Sequence, residues 1–155
     1  MEYRIFDKIG KPVSLFGIGC MRLPTIKTGN RDVIDEAEAI RMIRTGIDNG
    51  VNYIDTAYPY HGGQSELLVA KALKDGYREK VFLATKSPVW LVNKYSDLER
   101  LLDEQLRKLE TDCIDFYLLH AIGRDSWRKL QSIKAMDFME KAKQAGKIKY
   151  ICFSF

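Results

Sequence analysis

The sequence predicts an α/β fold built on a parallel sheet, and three observations carry that prediction. Short apolar runs of strand length alternate with longer stretches of helical period along most of the chain. Three of these runs end in one ionisable residue: Val51–Ile54 leads into Asp55, Val81–Thr85 into Lys86, and Ile114–Leu119 into His120. About thirty residues separate each from the next, the length of one strand–helix–strand crossover. Burying a lone acid, base or imidazole is costly. Three such ends in register therefore imply one shared site along one edge of the sheet.

The elements follow in order. Tyr3–Phe6, the turn Asp7-Lys8-Ile9-Gly10 and Lys11–Leu15 read as a short hairpin. A strand near Leu15–Gly19 comes next, then a loop through Pro24 and Gly29-Asn30. Ala37, Ile40, Ile43 and Ile47 share one helical face, on a helix that begins in acids and ends at Asn49-Gly50. Strand Val51–Ile54, the loop Thr56–Gly63 and a helix from Ser65 to Lys74 follow. Strand Val81–Thr85 runs into a loop through Pro88-Val89-Trp90. Ser96-Asp97-Leu98-Glu99 has the form of a capping box, opening a helix with Leu98, Leu101, Leu102, Leu106 and Leu109 on one face. After strand Ile114–Leu119 and a loop through Gly123, one helix carries Leu130, Ile133, Met136 and Met139 to Gly146. A last strand covers Tyr150–Phe153.

Such alternation implies right-handed crossovers. Two architectures compete, an open doubly wound sheet and part of a (β/α)₈ barrel. A dinucleotide-binding doubly wound domain carries G-x-G-x-x-G between its first strand and first helix. Gly17-Ile18-Gly19-Cys20-Met21-Arg22 lacks the third glycine, and a loop follows it. Barrels gather functional groups at the C-terminal ends of successive strands. Residues 1–155 are therefore expected to form a single partial TIM-barrel domain, an N-terminal hairpin followed by about five of eight strands.

Composition narrows the partners. The chain has 155 residues, 46% of them apolar, and a net charge of +4 from 25 basic and 21 acidic residues spread along its length. That is a mixed-charge surface with no arginine-rich arm, so nucleic acid is not expected as a partner. No apolar run approaches the roughly 20 residues that span a bilayer, and the start lacks a signal peptide's pattern. A cytoplasmic location is the expectation. Cys20, Cys113 and Cys152 are widely spaced, with no Cys-x-x-Cys pair. They read as thiols in a reducing compartment, Cys113 and Cys152 packed in or beside strands. No metal site is expected.

Tyr60 follows Asp55 by five residues. A tyrosine hydroxyl is a weak proton donor near neutral pH unless a cation stands beside it. A lysine ammonium is such a cation, and a carboxylate touching the lysine holds it charged and oriented. A neutral histidine opposite can donate a hydrogen bond to a substrate oxygen. Asp55, Tyr60, Lys86 and His120 supply all four parts. The set suits protonating a carbonyl oxygen while hydride reaches its carbon, and hydride requires a cofactor.

Asp-Thr-Ala-x-x-Tyr after the second strand, Ala-Thr-Lys ending the third and Leu-Leu-His ending the fourth resemble the aldo-keto reductases. The resemblance extends from the hairpin to Ser154. It implies a (β/α)₈ barrel closed at the bottom by the hairpin, reduction of small aldehydes or ketones, and NADP(H) or NAD(H) as cofactor. Carried over by position, it makes Tyr60 the general acid, Lys86 and Asp55 its tuning pair, and His120 the donor orienting the substrate. It also places Gly19, Cys20, Met21 and Arg22 near the cofactor, with Asp55 beside them, and sets Ser154 against the nicotinamide carboxamide. Phe155 stands where the family has asparagine. Tyr58-Pro59-Tyr60-His61-Gly62-Gly63 and Ser87-Pro88-Val89-Trp90-Leu91-Val92 are most similar to a microbial branch whose longer members carry a C-terminal iron–sulfur extension, absent here.

Residues 1–155 are not expected to include strands six to eight, which in that family bind most of the cofactor. Three readings follow. The chain is a truncated carbonyl reductase, with weak or no cofactor binding until the rest of the barrel completes it; or a non-catalytic half barrel that self-associates; or a cofactor-binding module without turnover. Among neighbouring residues, His61 reads as a solvated loop residue before a pocket lining, and Trp90 equally as pocket wall or loop anchor. Asp115 reads as a structural ion-pair partner, and Trp127 as packing.

Overall fold

The computed structural model describes residues 1–7 and 9–155. Five strands form a parallel sheet: β3 (Ile18–Gly19), β6 (Tyr53–Asp55), β7 (Phe82–Ser87), β8 (Ile114–Leu119) and β9 (Ile148–Phe153), neighbours in that order. Successive strands align Gly19 with Asp55, Asp55 with Ala84, Lys86 with Leu118, and Leu118 with Cys152. This register brings the polar strand ends to one edge. The expected α/β class with a parallel central sheet holds.

The hairpin β1 (Tyr3–Phe6) and β2 (Lys11–Ser14) is antiparallel, as expected. Of the turn expected at Asp7-Lys8-Ile9-Gly10, Lys8 lies outside the described residues. The hairpin is tied to the opposite edge of the sheet: Asn52 Oδ1 accepts the Ser14 amide at 2.8 Å and Tyr3 donates to Gly50 O at 2.9 Å. Gly50 adopts φ +95°, and a Cβ there would meet the Tyr3 hydroxyl at 2.7 Å. Only glycine allows this approach without strain.

Residues expected as a loop form a second hairpin, β4 (Thr25–Thr28) and β5 (Arg31–Ile34), turning at Gly29-Asn30. Gly29-Asn30 is a two-residue turn signal, but the runs on either side carry Lys27, Arg31 and Asp32, which are not strand formers. Helix α1 (Glu36–Asp48) is capped by Asp35, whose side chain accepts the Glu38 amide at 3.1 Å. It buries Ala39, Ile43 and Ile47. Ala37 is exposed, because the buried stripe runs through Ala39 instead.

Helix α2 (Ser65–Ala72) and helix α3 (Tyr95–Lys108) pack together on the face of the sheet that bears Leu83, Thr85, Tyr117 and Leu119. The box expected at Ser96 is instead a single acid: Asp97 Oδ2 accepts the Asn93 and Lys94 amides at 2.9 and 3.1 Å. The last expected helix is two, α4 (Arg124–Ser132) and α5 (Ala135–Gln144). Lys134 at φ 56° breaks the path, which lets Leu130 and the Phe138–Met139 pair reach the core from different axes. The other face of the sheet carries an aromatic ladder: Phe116 lies 5.3 Å from Tyr53, 5.9 Å from Phe82 and 5.0 Å from Tyr150, between ring centroids. No helix among the described residues is long and apolar enough to cross a membrane.

Candidate active site

The four residues singled out from the sequence meet at the C-terminal edge of the sheet. Asp55 ends β6, Lys86 is the last residue but one of β7, and His120 follows β8. Tyr60 opens a 3₁₀ turn over Tyr60–Gly63 in the loop after β6. Lys86 Nζ donates to Asp55 Oδ1 and Oδ2 at 2.7 and 2.8 Å, to Thr56 O at 2.8 Å and toward the Tyr60 hydroxyl at 3.3 Å. The lysine is 6% exposed. A buried ammonium is tolerated because the carboxylate and the carbonyl replace its water.

His120 completes the group. Its ring meets Tyr60 edge-on at 6.1 Å and lies 5.2 Å from the Trp90 ring. Its Nδ1 is buried without a partner among the described residues. Burial, reinforced by the positive charge of Lys86, holds the imidazole below its usual titration range. We expect His120 to stay neutral on lowering the pH through 6.5 and to protonate only below it. Imidazole carbon shifts followed by NMR across pH 4–8 check this, and a midpoint at or above about 6.5 would contradict it.

The loop bearing Tyr60 is anchored by residues that sequence reasoning passed over. Thr56 Oγ1 and Ser65 Oγ lie 2.9 Å apart, and Ser65 donates to Cys20 O at 2.9 Å. Tyr58 donates to Glu104 Oε1 at 3.0 Å, and Lys108 stands 4.0 Å over its ring. His61, expected as a solvated loop residue, instead accepts the Leu23 amide through Nε2 at 3.0 Å. It ties this loop to the one after β3.

Of the residues expected beside the cofactor, Gly19 and Cys20 adjoin the cluster directly: Gly19 pairs with Asp55 and the Cys20 amide donates to Asp55 O at 2.7 Å. The Cys20 thiol is fully buried, and burial together with the Asp55 charge pushes it up to about 12. It is inert as a nucleophile. Cys113 and Cys152, expected as packed thiols, are only half-buried. Met21 and Arg22 are exposed. Ser154 closes the edge: its Oγ accepts the Ala121 amide at 2.9 Å, and its amide donates to Leu119 O at 2.9 Å.

Behind Lys86, under α2 and α3, lies a polar cluster of Glu66, Thr85, Gln105 and Tyr117, all buried. Gln105 could have been found from its spacing, since it falls on the stripe of Leu98, Leu101, Leu102 and Leu109.

Comparison with known proteins identifies the family. The model of the aldo/keto reductase family matches residues 16–155. The aldo-keto reductase YhdN of Bacillus subtilis (strain 168) is 37% identical over 128 residues, covering 77% of this chain and 38% of its own. The solved holo form of an aldo-keto reductase from Bacillus halodurans is 33% identical with a TM-score of 0.82, over 99% of this chain and 50% of that one. An aldo/keto reductase from Klebsiella pneumoniae, solved with NADP and acetate, is 30% identical with a TM-score of 0.74, over 94% of this chain and 47% of its own. The chain thus spans half or less of the length of these relatives.

Proposed function

Because this chain belongs to the aldo/keto reductase family, we propose that its Asp55–Lys86–Tyr60–His120 cluster is the proton-delivering half of a carbonyl reductase. One observation carries the reading: Lys86 Nζ bridges the Asp55 carboxylate and the Tyr60 hydroxyl at the strand ends. A carbonyl oxygen seated between Tyr60 and His120 takes the phenolic proton as negative charge develops on it. The Lys86 ammonium faces the phenol oxygen that loses this proton, and Asp55 fixes the ammonium in place. Neutral His120 donates to the same carbonyl oxygen and sets its angle. Trp90, 48% exposed against His120, forms one wall of the substrate pocket.

A bound nicotinamide supplies the hydride for such a reduction. The residues present fit it. Ser154 Oγ already accepts the Ala121 amide, which leaves its hydroxyl hydrogen for a carboxamide oxygen. Gly19, around which a side chain would meet nothing within 4 Å, leaves room beside Asp55. We assign Gly19, Cys20, Met21, Arg22, Asp55 and Ser154 to the cofactor's neighbourhood, with NADP(H) favoured by the Klebsiella relative.

We read residues 1–155 as one partial (β/α)₈ unit and place turnover in the complete barrel. Among the described residues strand β9 pairs on one side only, and beside it Trp127, Met136, Ile151 and Phe153 line an apolar cleft of about 440 Å³. Such a face is suited to further barrel elements. The test is aldehyde-dependent NADPH oxidation by this chain, alone and co-expressed with the C-terminal half of the Bacillus relative. Oxidation by the reconstituted barrel is expected, with little by the chain alone. A reconstituted barrel that binds NADPH, by fluorescence, but oxidises it with no small aldehyde would refute the proposal.

A further inference from the structure

We propose that Gln105 and Glu66 form a buried brace that positions Lys86, and that the brace acts from behind the sheet without touching substrate or cofactor. The importance of Lys86 rests on the function proposed above; the brace itself rests on contacts. Gln105 Nε2 donates to Glu66 Oε1 at 2.6 Å, to Lys86 O at 3.1 Å and toward Thr85 Oγ1 at 3.2 Å. Gln105 Oε1 accepts the Tyr117 hydroxyl at 2.8 Å. Thr85 Oγ1 donates to Glu66 Oε1 at 2.8 Å. The amide orientation is fixed by its partners. Turned over, its oxygen would face a carboxylate and a carbonyl, and its NH₂ a hydroxyl.

The placement meets a specific need. Ala84 O, two residues before Lys86 on the same strand edge, accepts the Thr56 amide. By strand alternation Lys86 O faces that edge too, but β6 ends at Asp55. Gln105 supplies the donor that a longer β6 would have supplied. The lysine is therefore held at both ends: its carbonyl by Gln105, and its ammonium by Asp55 and Thr56 O.

The brace is expensive as packing alone. Glu66 is fully buried, its Oε2 has no hydrogen-bond partner among the described residues, and Lys108 Nζ approaches it only to 3.7 Å. Burial accordingly pushes the carboxyl up, against the hydrogen bonds from Gln105 and Thr85. An apolar residue of similar volume would stabilise this layer at least as well. What the polar set adds is a defined position for the strand end.

The test follows the Lys86 ammonium hydrogens in the lysine-¹⁵N-labelled chain, where enclosure by four oxygens on three residues should slow their exchange with water. Gln105→Met, which keeps volume and removes the donor, is expected to speed that exchange about tenfold. Tyr117→Phe, which removes one tie and preserves the packing, should speed it by a smaller, measurable factor. Leu101→Ala, buried on the same helix and outside the network, should lower stability and leave the exchange unchanged. Unchanged exchange in Gln105→Met overturns the brace, as does equal acceleration in Leu101→Ala. If Gln105→Met fails to fold, unchanged exchange in Tyr117→Phe overturns it. No turnover is measured, so failure of the carbonyl reductase reading would leave this result standing, and the reverse.

Discussion

Tyr60→Phe is expected to lower carbonyl-dependent NADPH oxidation in the completed barrel by about 10²–10⁴-fold, the range of a lost general acid. The substitution is clean. Phenylalanine keeps the ring edge-on to His120 at 6.1 Å and keeps Lys86 Nζ 4.9 Å from its centroid. It removes only the hydroxyl at 3.3 Å from that ammonium. NADPH affinity, read by fluorescence titration, should stay at the wild-type value, so the loss should fall on kcat. Lys86→Met is a less selective probe. It strips Asp55 and Thr56 O of their shared donor and disturbs the strand end as well. A Tyr60→Phe barrel that turns over at the wild-type rate would remove tyrosine from the chemistry and leave the cluster a structural ion pair.

The candidate site was more legible than the fold around it. Asp55, Lys86 and His120 could be picked out because polarity at the end of an apolar run is conspicuous and a crossover fixes its spacing. Tyr60 could be added because a weak acid needs a cation nearby. The hairpin at Thr25–Ile34 escaped because both its strands are polar and mostly exposed, so neither shows a core-facing alternation. The break at Lys134 escaped for another reason. Leu130, Ile133, Met136 and Met139 keep helical spacing straight through it, and nothing in a lysine announces a left-handed φ. Gln105 and Glu66 were passed over as ordinary polar helix residues. Gln105 lay on the leucine stripe of α3 and could have been found there, whereas the burial of Glu66 depends on which face of α2 meets its neighbours, and that is a tertiary fact.

The two ends of the sheet divide the work. The C-terminal edge holds the lysine–tyrosine cluster, with a buried ammonium and an imidazole nitrogen that has no partner among the described residues. The N-terminal edge holds an ion-pair centre whose groups are all matched, beside the hairpin strand β2. In barrels the first end carries activity and the second stability. Substitutions at the two edges should therefore separate in their effects.

Asp115→Ala is the sharpest case at the stabilising end, and it is expected to cost about 3 kcal/mol, toward the lower limit for breaking a buried ion pair. Asp115 is 2% exposed inside β8. Its Oδ2 accepts from Arg78 Nη2 at 2.8 Å and from the Leu83 amide at 2.9 Å, and its Oδ1 from Lys149 Nζ at 2.6 Å. It thereby joins β8 to β7, to β9 and to the turn before β7. Removing it orphans the Leu83 amide, whereas Lys149 reaches water easily, which keeps the cost near the low end. The midpoint of thermal unfolding should fall by roughly 6–12 °C. Burial alone would raise this carboxyl, but the Leu83 amide, Lys149 and Arg78 outweigh it and hold it below the ordinary carboxylate range. A depressed carboxyl adds stability that is fully present above the unfolded value of about 3.9 and is lost as pH falls through the folded one. Asp115→Ala should therefore lose most at neutral pH and converge on wild type in acid, while the Lys86 ammonium exchange at the far edge stays unchanged. Urea unfolding at pH 7 and pH 3 measures the stability part, and ammonium exchange in the lysine-¹⁵N-labelled chain measures the other. Equal midpoints at pH 7 would mean that Arg78, through its bonds to Cys113 O and Val81 O, holds the strand ends without the carboxylate.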